Sequence, residues 1–260
     1  MKDRSRPLLA RDERSVGNWI SIGHPTVAEL CARGFDFVII DTEHTALGLE
    51  TVANMLRAIE ALDEEVASIV RVPENDRTLI KRVLDLGVDG LMVPTVETAE
   101  GAQRTVDAMR YPPEGSRGAA PARASDYGRA FGEYVDRANE ELTTIVQIET
   151  ERGVENATEI VSVDGVDAII VGHGDLSASL DVFGRWDHER FQSALESILN
   201  AAHDVGKPVG MLATDDEEMR RWVDAGVDFA IAGADLCYLA NGSDAAREAF
   251  ESMTADDGSN

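Results

Sequence analysis

Residues Phe37 to Gly48 read FVIIDTEHTALG, an apolar run followed by Asp41, Glu43 and His44 within four positions. One carboxylate after a strand needs no explanation, but two beside an imidazole form a set that can orient and move a proton near neutral pH. Other chemistry-bearing side chains close other apolar runs: Arg71 in IVRVP, Gln147 and Glu149 in IVQIE, and Asp175 in VGHGDLS. Glu149 and Asp175 are hard oxygen donors. They suit Mg²⁺ or Mn²⁺ better than Zn²⁺, and leave positions for water and a bidentate substrate. Arg71 is a fixed cation for a carboxylate or a developing enolate, and its plainer use is a salt bridge to Asp41 or Glu43. His44 taken alone reads as a structural histidine; in this company it reads as a proton carrier.

These residues converge only if the elements carrying them close on one another. Eight β-branched runs serve as strands: WISIG, FVIID, ASIVRV, GLMVP, TTIVQIE, AIIVG, PVGML and FAIAG. Amphipathic stretches such as TVAELCARG, RTLIKRVLDLG, HERFQSALESILNAAHDVG and DEEMRRWVDAG separate them, each ending in a glycine suited to a left-handed helix stop. Apolar strands alternating with helices predict a parallel sheet covered by helices. RGFDFVII, LGVDGLMV, DGVDAIIV and AGVDFAIA are variants of one strand entry and recur at every second strand. That recurrence favours an α/β fold of the (β/α)8 TIM barrel type over an open doubly wound sheet, and no Gly-x-Gly-x-x-Gly follows the first strand. In such a barrel the strand ends gather at one mouth, and residues 147 and 149, two apart, share the interior face.

Composition sets the boundaries. A chain of 260 residues without a linker-like segment is expected to form one domain over 1–260, with frayed ends at about 1–15 and 254–260. Its 49 acidic against 24 basic residues give a formal charge of -25, which disfavours nucleic acid as a partner. Lys2, Lys81 and Lys207 are the only lysines, and with the acidic surface this suggests a halophilic, salt-rich cytoplasm. Cys31 and Cys237 lack metal-ligand spacing and read as reduced thiols. With no signal-peptide pattern and no membrane-length apolar run, a soluble cytoplasmic protein is expected.

DTEH, VRVP, YPPEGSRG, QIET, GHGDLS and AGAD stand in the order found in the HpcH/HpaI aldolase family, which this chain resembles from about Gly17 to about Phe250. The resemblance implies a barrel of the phosphoenolpyruvate/pyruvate-binding type and a metal-dependent class II aldolase, a carbon–carbon lyase. Its reaction would cleave a 2-keto-4-hydroxy acid, such as a 2-keto-3-deoxy sugar acid, reversibly to pyruvate and an aldehyde. It also implies that His44 is the base, Arg71 the transition-state stabiliser, and Glu149 and Asp175 the ligands of Mg²⁺ or Mn²⁺, with Co²⁺ a further candidate. Gln147, the Gly174 backbone and Asp175 would hold pyruvate, and Asp85 would raise the basicity of the histidine. Asp85 lies in the last turn of RTLIKRVLDLG, at the opposite end of a barrel, so it reaches a histidine only from a neighbouring subunit. His173, Gly174 and Thr45 depart from the family pattern and bear on pocket shape and aldehyde preference; His173 is also a candidate extra ligand in a metal-binding assay.

Trp19 and Leu212, near the first strand and after the seventh, are expected to line the outer pocket or to be core. Asp41 and Glu43 would orient the histidine and its water. The segment from Tyr111 to Glu140 is too long for a helix-to-strand connection and is expected to pack on another subunit of a homo-oligomer, a hexamer or trimer. None of the three lysines projects from a strand into the barrel, so an imine route has no candidate. The alternatives are a coenzyme A ester lyase of the citrate lyase beta type, which lacks a basic cluster for the coenzyme's phosphates, and a non-catalytic barrel subunit.

Overall fold

The strand-entry echo has a direct physical purpose in the folded chain. Asp36, Asp89, Asp167 and Asp228 each precede an even-numbered strand, and each bonds twice to one residue at the start of the strand before it. Asp36 donates its N–H to Val16 O (3.0 Å) and accepts the Val16 N–H at Oδ2 (2.8 Å). The same reciprocal pair joins Asp89 to Ser68 (2.8 and 2.7 Å), Asp167 to Thr144 (2.9 and 2.7 Å) and Asp228 to Val209 (2.9 Å for both). Gly34, Gly87, Gly165 and Gly226, each two positions before its aspartate, take φ between 76° and 98°, the left-handed region that glycine enters without a Cβ penalty. Each repeat is thus a clamp on the N-terminal end of a strand pair.

Four clamped pairs close into a barrel. This computed structural model describes Leu9 and residues 15–255. All eight strands pair in parallel in sequence order: β1 (Val16–Ile20), β2 (Phe37–Asp41), β3 (Ala67–Arg71), β4 (Gly90–Val93), β5 (Thr143–Ile148), β6 (Ala168–Val171), β7 (Val209–Ala213) and β8 (Phe229–Ala234). The helices are α1 (Pro25–Ala32), α2 (Leu49–Glu60), α3 (Arg77–Leu84), α4 (Ala99–Met109), α5 (Phe131–Glu141), α6 (Glu151–Glu155), α7 (Ala157–Val161), α8 (His173–Ser179), α9 (Glu189–Asp204), α10 (Asp216–Ala225) and α11 (Asp235–Ala255). No helix among the described residues is long and apolar enough to cross a membrane. Most of the ends expected to fray lie outside the described residues, but Thr254 and Ala255 still belong to α11.

The barrel interior is filled by side chains from alternate positions, including Trp19, Phe37, Ile39, Ile69, Met92, Ile145, Ile170, Phe229 and Ile231. Phe37 and Phe229 meet edge to face at 6.0 Å, and glycines make room for both. A Cβ on Gly17 would fall 2.2 Å from the Phe37 ring, and one on Gly210 would fall 2.1 Å from the Phe229 ring. This aromatic layer plugs the barrel beneath the mouth.

One expectation is corrected. β1 is VGNWI, three residues earlier than WISIG, because the N–H groups of Ser21 and Ile22 turn to the Asp235 carboxylate (3.0 and 2.7 Å) and leave the sheet. The Tyr111–Glu140 segment contains α5 and delivers a fully buried Arg117 to Asp85 of the same chain, with Nη2 3.1 Å from Oδ1. The guanidinium of Arg117 lies 4.5 Å from the Tyr111 ring and 5.5 Å from the Tyr134 ring. Burial there pushes the Tyr111 phenol up to about 12.

Candidate active site

At the mouth, strand register decides the first contact. Asp41 and Arg71 are paired residues of β2 and β3 on the interior face, and Arg71 Nε donates to Asp41 Oδ1 at 2.8 Å. Arg71 Nη1 lies 2.7 Å from Glu43 Oε2 as an ion pair without hydrogen-bond alignment. The Glu43 N–H also donates to Asp41 Oδ1 (3.0 Å), and the Trp19 ring lies 4.5 Å from the guanidinium carbon. Asp41 is 2 % exposed and Arg71 7 %, so the cation is fixed by two carboxylates and an indole in a largely dry place. Burial raises the Glu43 carboxyl above its ordinary value, outweighing the opposing pull of Arg71; the Glu149 and Asp41 charges add to the rise, and His44 opposes it.

His44 has a side chain 68 % exposed, with Nε2 3.8 Å from Glu43 Oε2. The carboxylate beside it is therefore Glu43. Asp41, expected to help orient the histidine, is instead engaged by Arg71 and the Glu43 backbone.

Across the mouth, Gln147 and Glu149 do share the interior face, and both are buried. Glu149 Oε1 accepts from the Thr95 N–H (2.7 Å) and from Thr95 Oγ1 (2.8 Å), while Gln147 Nε2 donates to Glu149 Oε2. Gln147 Oε1 is buried and has no hydrogen-bond partner among the described residues. Gly172 keeps this region clear, because a Cβ there would stand 2.4 Å from Glu149 Oε2. Asp175 is exposed in the first turn of α8, and a Cβ on Gly174 would meet nothing within 4 Å.

Whether these residues suit a divalent cation is a question of donors. Among the described residues no three His, Cys, Asp or Glu side chains come within reach of one ion. The orphaned Gln147 oxygen and the Glu149 carboxylate are hard donors, so the residues present fit such an ion.

Other expected residues fall elsewhere. His173 packs among aromatics, its ring 5.0 Å from Trp186 and 5.6 Å from Trp222, and burial lowers its pKa, against the opposing charges of Glu218 and Asp175. Leu212 lies within β7, half-buried, and its carbonyl accepts from Trp222 Nε1 at 3.0 Å. Trp19 is a β1 residue beneath Arg71. Asp85 ends α3 in its pair with Arg117 and is not brought to His44 within one chain. Thr95 was not singled out from sequence, since a lone threonine after GLMVP carries no motif, and Gly172 was read only as part of AIIVG and GHGDLS, without a role of its own.

The family model described as HpcH/HpaI aldolase/citrate lyase matches residues 15–242. The chain belongs to that family. The HpcH/HpaI chain is therefore a carbon–carbon lyase. It is 41% identical over 229 residues to a 4-hydroxy-2-oxovalerate aldolase of Novosphingobium aromaticivorans, covering 88% of this chain and 87% of the relative. It is 35% identical over 235 residues to a 5-keto-4-deoxy-D-glucarate aldolase of Escherichia coli, covering 90% and 91%. A crystal structure of an HpcH/HpaI aldolase/citrate lyase family protein from Burkholderia cenocepacia J2315 superposes with a TM-score of 0.88 at 36% identity, covering 94% of this chain and 95% of the other.

Proposed function

We propose that this HpcH/HpaI chain cleaves a 2-keto-4-hydroxy acid to pyruvate and an aldehyde, and runs the reverse addition, with a divalent cation, Mg²⁺ or Mn²⁺, held by Glu149 and Asp175. The observation that carries this reading is a buried Arg71, fixed by Asp41 and Glu43, across the mouth from a buried carboxylate whose orientation is set by three donors. The aldolase names of the relatives support it over a coenzyme A ester lyase. The 5-keto-4-deoxy-D-glucarate relative favours a hydroxylated aldehyde from a keto-deoxy sugar acid.

When bound, the cation supplies an electron sink for the keto group of the substrate. Arg71 donates one of its five N–H groups to Asp41 and pairs ionically with Glu43, with donor capacity left for negative charge developing on the keto oxygen. Because its position is fixed in advance, that stabilisation costs little reorganisation. His44 takes the proton of the C4 hydroxyl as the C3–C4 bond breaks, and Glu43, 3.8 Å away with a raised pKa, holds or returns a proton near it. Gln147 and the Gly174 backbone seat the keto acid, and Trp19 and Leu212 bound the aldehyde side.

An imine route would need a lysine at the mouth. Lys2 lies outside the described residues, and Lys81 lies on α3. Burial lowers the Lys207 pKa, as in many imine-forming lysines, but its Nζ donates to Val163 O (2.7 Å) at the end of the barrel where β7 begins. The protein is therefore expected to exchange the methyl protons of pyruvate with deuterated solvent in Mg²⁺ or Mn²⁺, to stop on chelation, and to take no adduct from borohydride with pyruvate. Exchange that persists in chelator, or a borohydride adduct on a lysine, would overturn the metal reading.

We infer also a homo-oligomer built through α11. Leu236, Leu239, Phe250 and Met253 lie on one side of this helix and are 54%, 63%, 68% and 73% exposed, while Ala230 and Ala232 of β8 stay half-exposed where a covering helix belongs. A second copy supplies both an apolar face for α11 and a helix for β8. Exposure of His44 also leaves it open to Asp85 of a neighbouring copy. Sedimentation at roughly 1 M salt, where charge on the acidic surface is screened over about 3 Å, is expected to show an oligomer that dissociates when the chain ends at Asn241. A full-length monomer with full activity would refute it.

A further inference from the structure

The loop after β4 holds a conformation that its side chain disfavours. Thr95 has φ 51°, in the left-handed region, where a β-branched residue is an outlier. Strain of this kind persists only where the surroundings impose it, and it collects at functional sites. The surroundings here are Glu149: Thr95 presents two donors, its N–H at 2.7 Å and its hydroxyl at 2.8 Å, to the single oxygen Oε1.

A carboxylate oxygen has two lone pairs, so Oε1 is saturated by Thr95. Oε2 accepts only from Gln147 Nε2, and Gly172 keeps a Cβ from crowding it. The backbone on either side of Glu149 is also fixed. Ile148 ends β5, Thr150 caps α6 by accepting the Gly153 N–H (3.1 Å), and the Val96 N–H donates to Gln147 O (3.1 Å). The remaining freedom of Glu149 is in its side chain, and Thr95 removes it.

Resting on the cation reading above, we infer that Thr95 is a positioning residue for cation binding, which occupies Glu149 Oε1 and so leaves Oε2 as the oxygen with a free lone pair. Thr95 acts through Glu149. Hydrogen-bond partners of this kind are worth about 10-fold to 100-fold in metal affinity.

The test compares Thr95→Ala with Thr95→Ser, which differ by one oxygen and both lack the β-branch. Mn²⁺ binding to chelator-stripped protein is read by the electron paramagnetic resonance signal of free Mn²⁺, and melting of the metal-free variants is measured beside it. Thr95→Ala is expected to bind Mn²⁺ about tenfold more weakly, and Thr95→Ser to stay within about twofold of the unaltered protein. Equal melting of the two metal-free variants assigns the loss to the missing hydroxyl, because a purely structural role would move both quantities together. Unchanged affinity in Thr95→Ala, or equal weakening in Thr95→Ser, overturns the inference while loss of binding in Glu149→Ala keeps the cation reading. Binding that survives Glu149→Ala removes both.

Discussion

Glu149→Gln is expected to slow pyruvate proton exchange by about 10³-fold, the equivalent of the several kcal/mol that a bound cation supplies as a Lewis acid. The substitution conserves shape and removes charge. It also introduces a polarity conflict that the geometry makes specific. Oε1 accepts from both Thr95 donors and Oε2 accepts from Gln147 Nε2, so both oxygens of Glu149 face donors. A carboxamide has one acceptor oxygen and one NH₂; with its oxygen kept on Thr95 it sets its NH₂ against Gln147 Nε2, a conflict relieved only if the Gln147 amide turns to present its unpartnered Oε1. Glu149 is only 4 % exposed, and a buried donor without an acceptor costs about 1–3 kcal/mol. Glu149→Gln is therefore expected to lower the exchange rate and Mn²⁺ affinity in parallel, and to lower the urea midpoint as well where the Gln147 amide keeps its orientation. Exchange within tenfold of the unaltered protein would show that Glu149 does not hold the cation.

The barrel was legible because its signals are periodic. Every apolar run predicted as a strand overlaps one, and the four Gly-apolar-Asp entries marked a fourfold repeat before their purpose was visible. What the echo could not reveal was the reciprocal bonding of each aspartate to the preceding strand, since it joins residues from 19 to 23 positions apart that only the fold brings together. Arg71, Gln147 and Glu149 were legible because a charged or amide group closing a buried strand is out of place in a core. Their partners were less so. Whether Arg71 met Asp41, Glu43 or a substrate was open from sequence, and strand register settled the ion pairs by placing Asp41 opposite Arg71. Thr95 was missed because its donor role depends on φ, which one threonine in a polar loop does not announce. Within the Tyr111–Glu140 segment, the anchoring of buried Arg117 to Asp85 of the same chain was not legible, because it joins residues 32 positions apart that only the fold brings together.

Arg71 tests stability and chemistry together, through two substitutions. Arg71→Lys keeps the charge, but a single ammonium cannot at once reproduce the Nε donation to Asp41, the Nη1 ion pair with Glu43 and the guanidinium contact with Trp19. The expected result is a fall in kcat of about 10²–10³-fold, the usual effect of losing one fixed donor to developing negative charge, with the fold retained. Arg71→Met keeps the apolar stem and leaves Asp41 and Glu43 buried side by side without a counter-ion. Breaking a buried pair from one side costs about 3–5 kcal/mol, so this variant should be much less stable near neutral pH. The pH dependence follows from Glu43. Its pKa is already raised by burial, and Arg71 is the largest influence holding it down, so removing the guanidinium raises it further. A carboxyl with a higher pKa in the folded state favours folding while protonated, and that advantage is lost as pH rises from the unfolded value through the folded one. The stability gap between Arg71→Met and the unaltered protein should accordingly narrow as pH falls from 7 toward the ordinary carboxylate range, about 4. Urea unfolding across that range measures it, and a gap that stays constant or widens on acidification would mean that Arg71 does not neutralise Glu43.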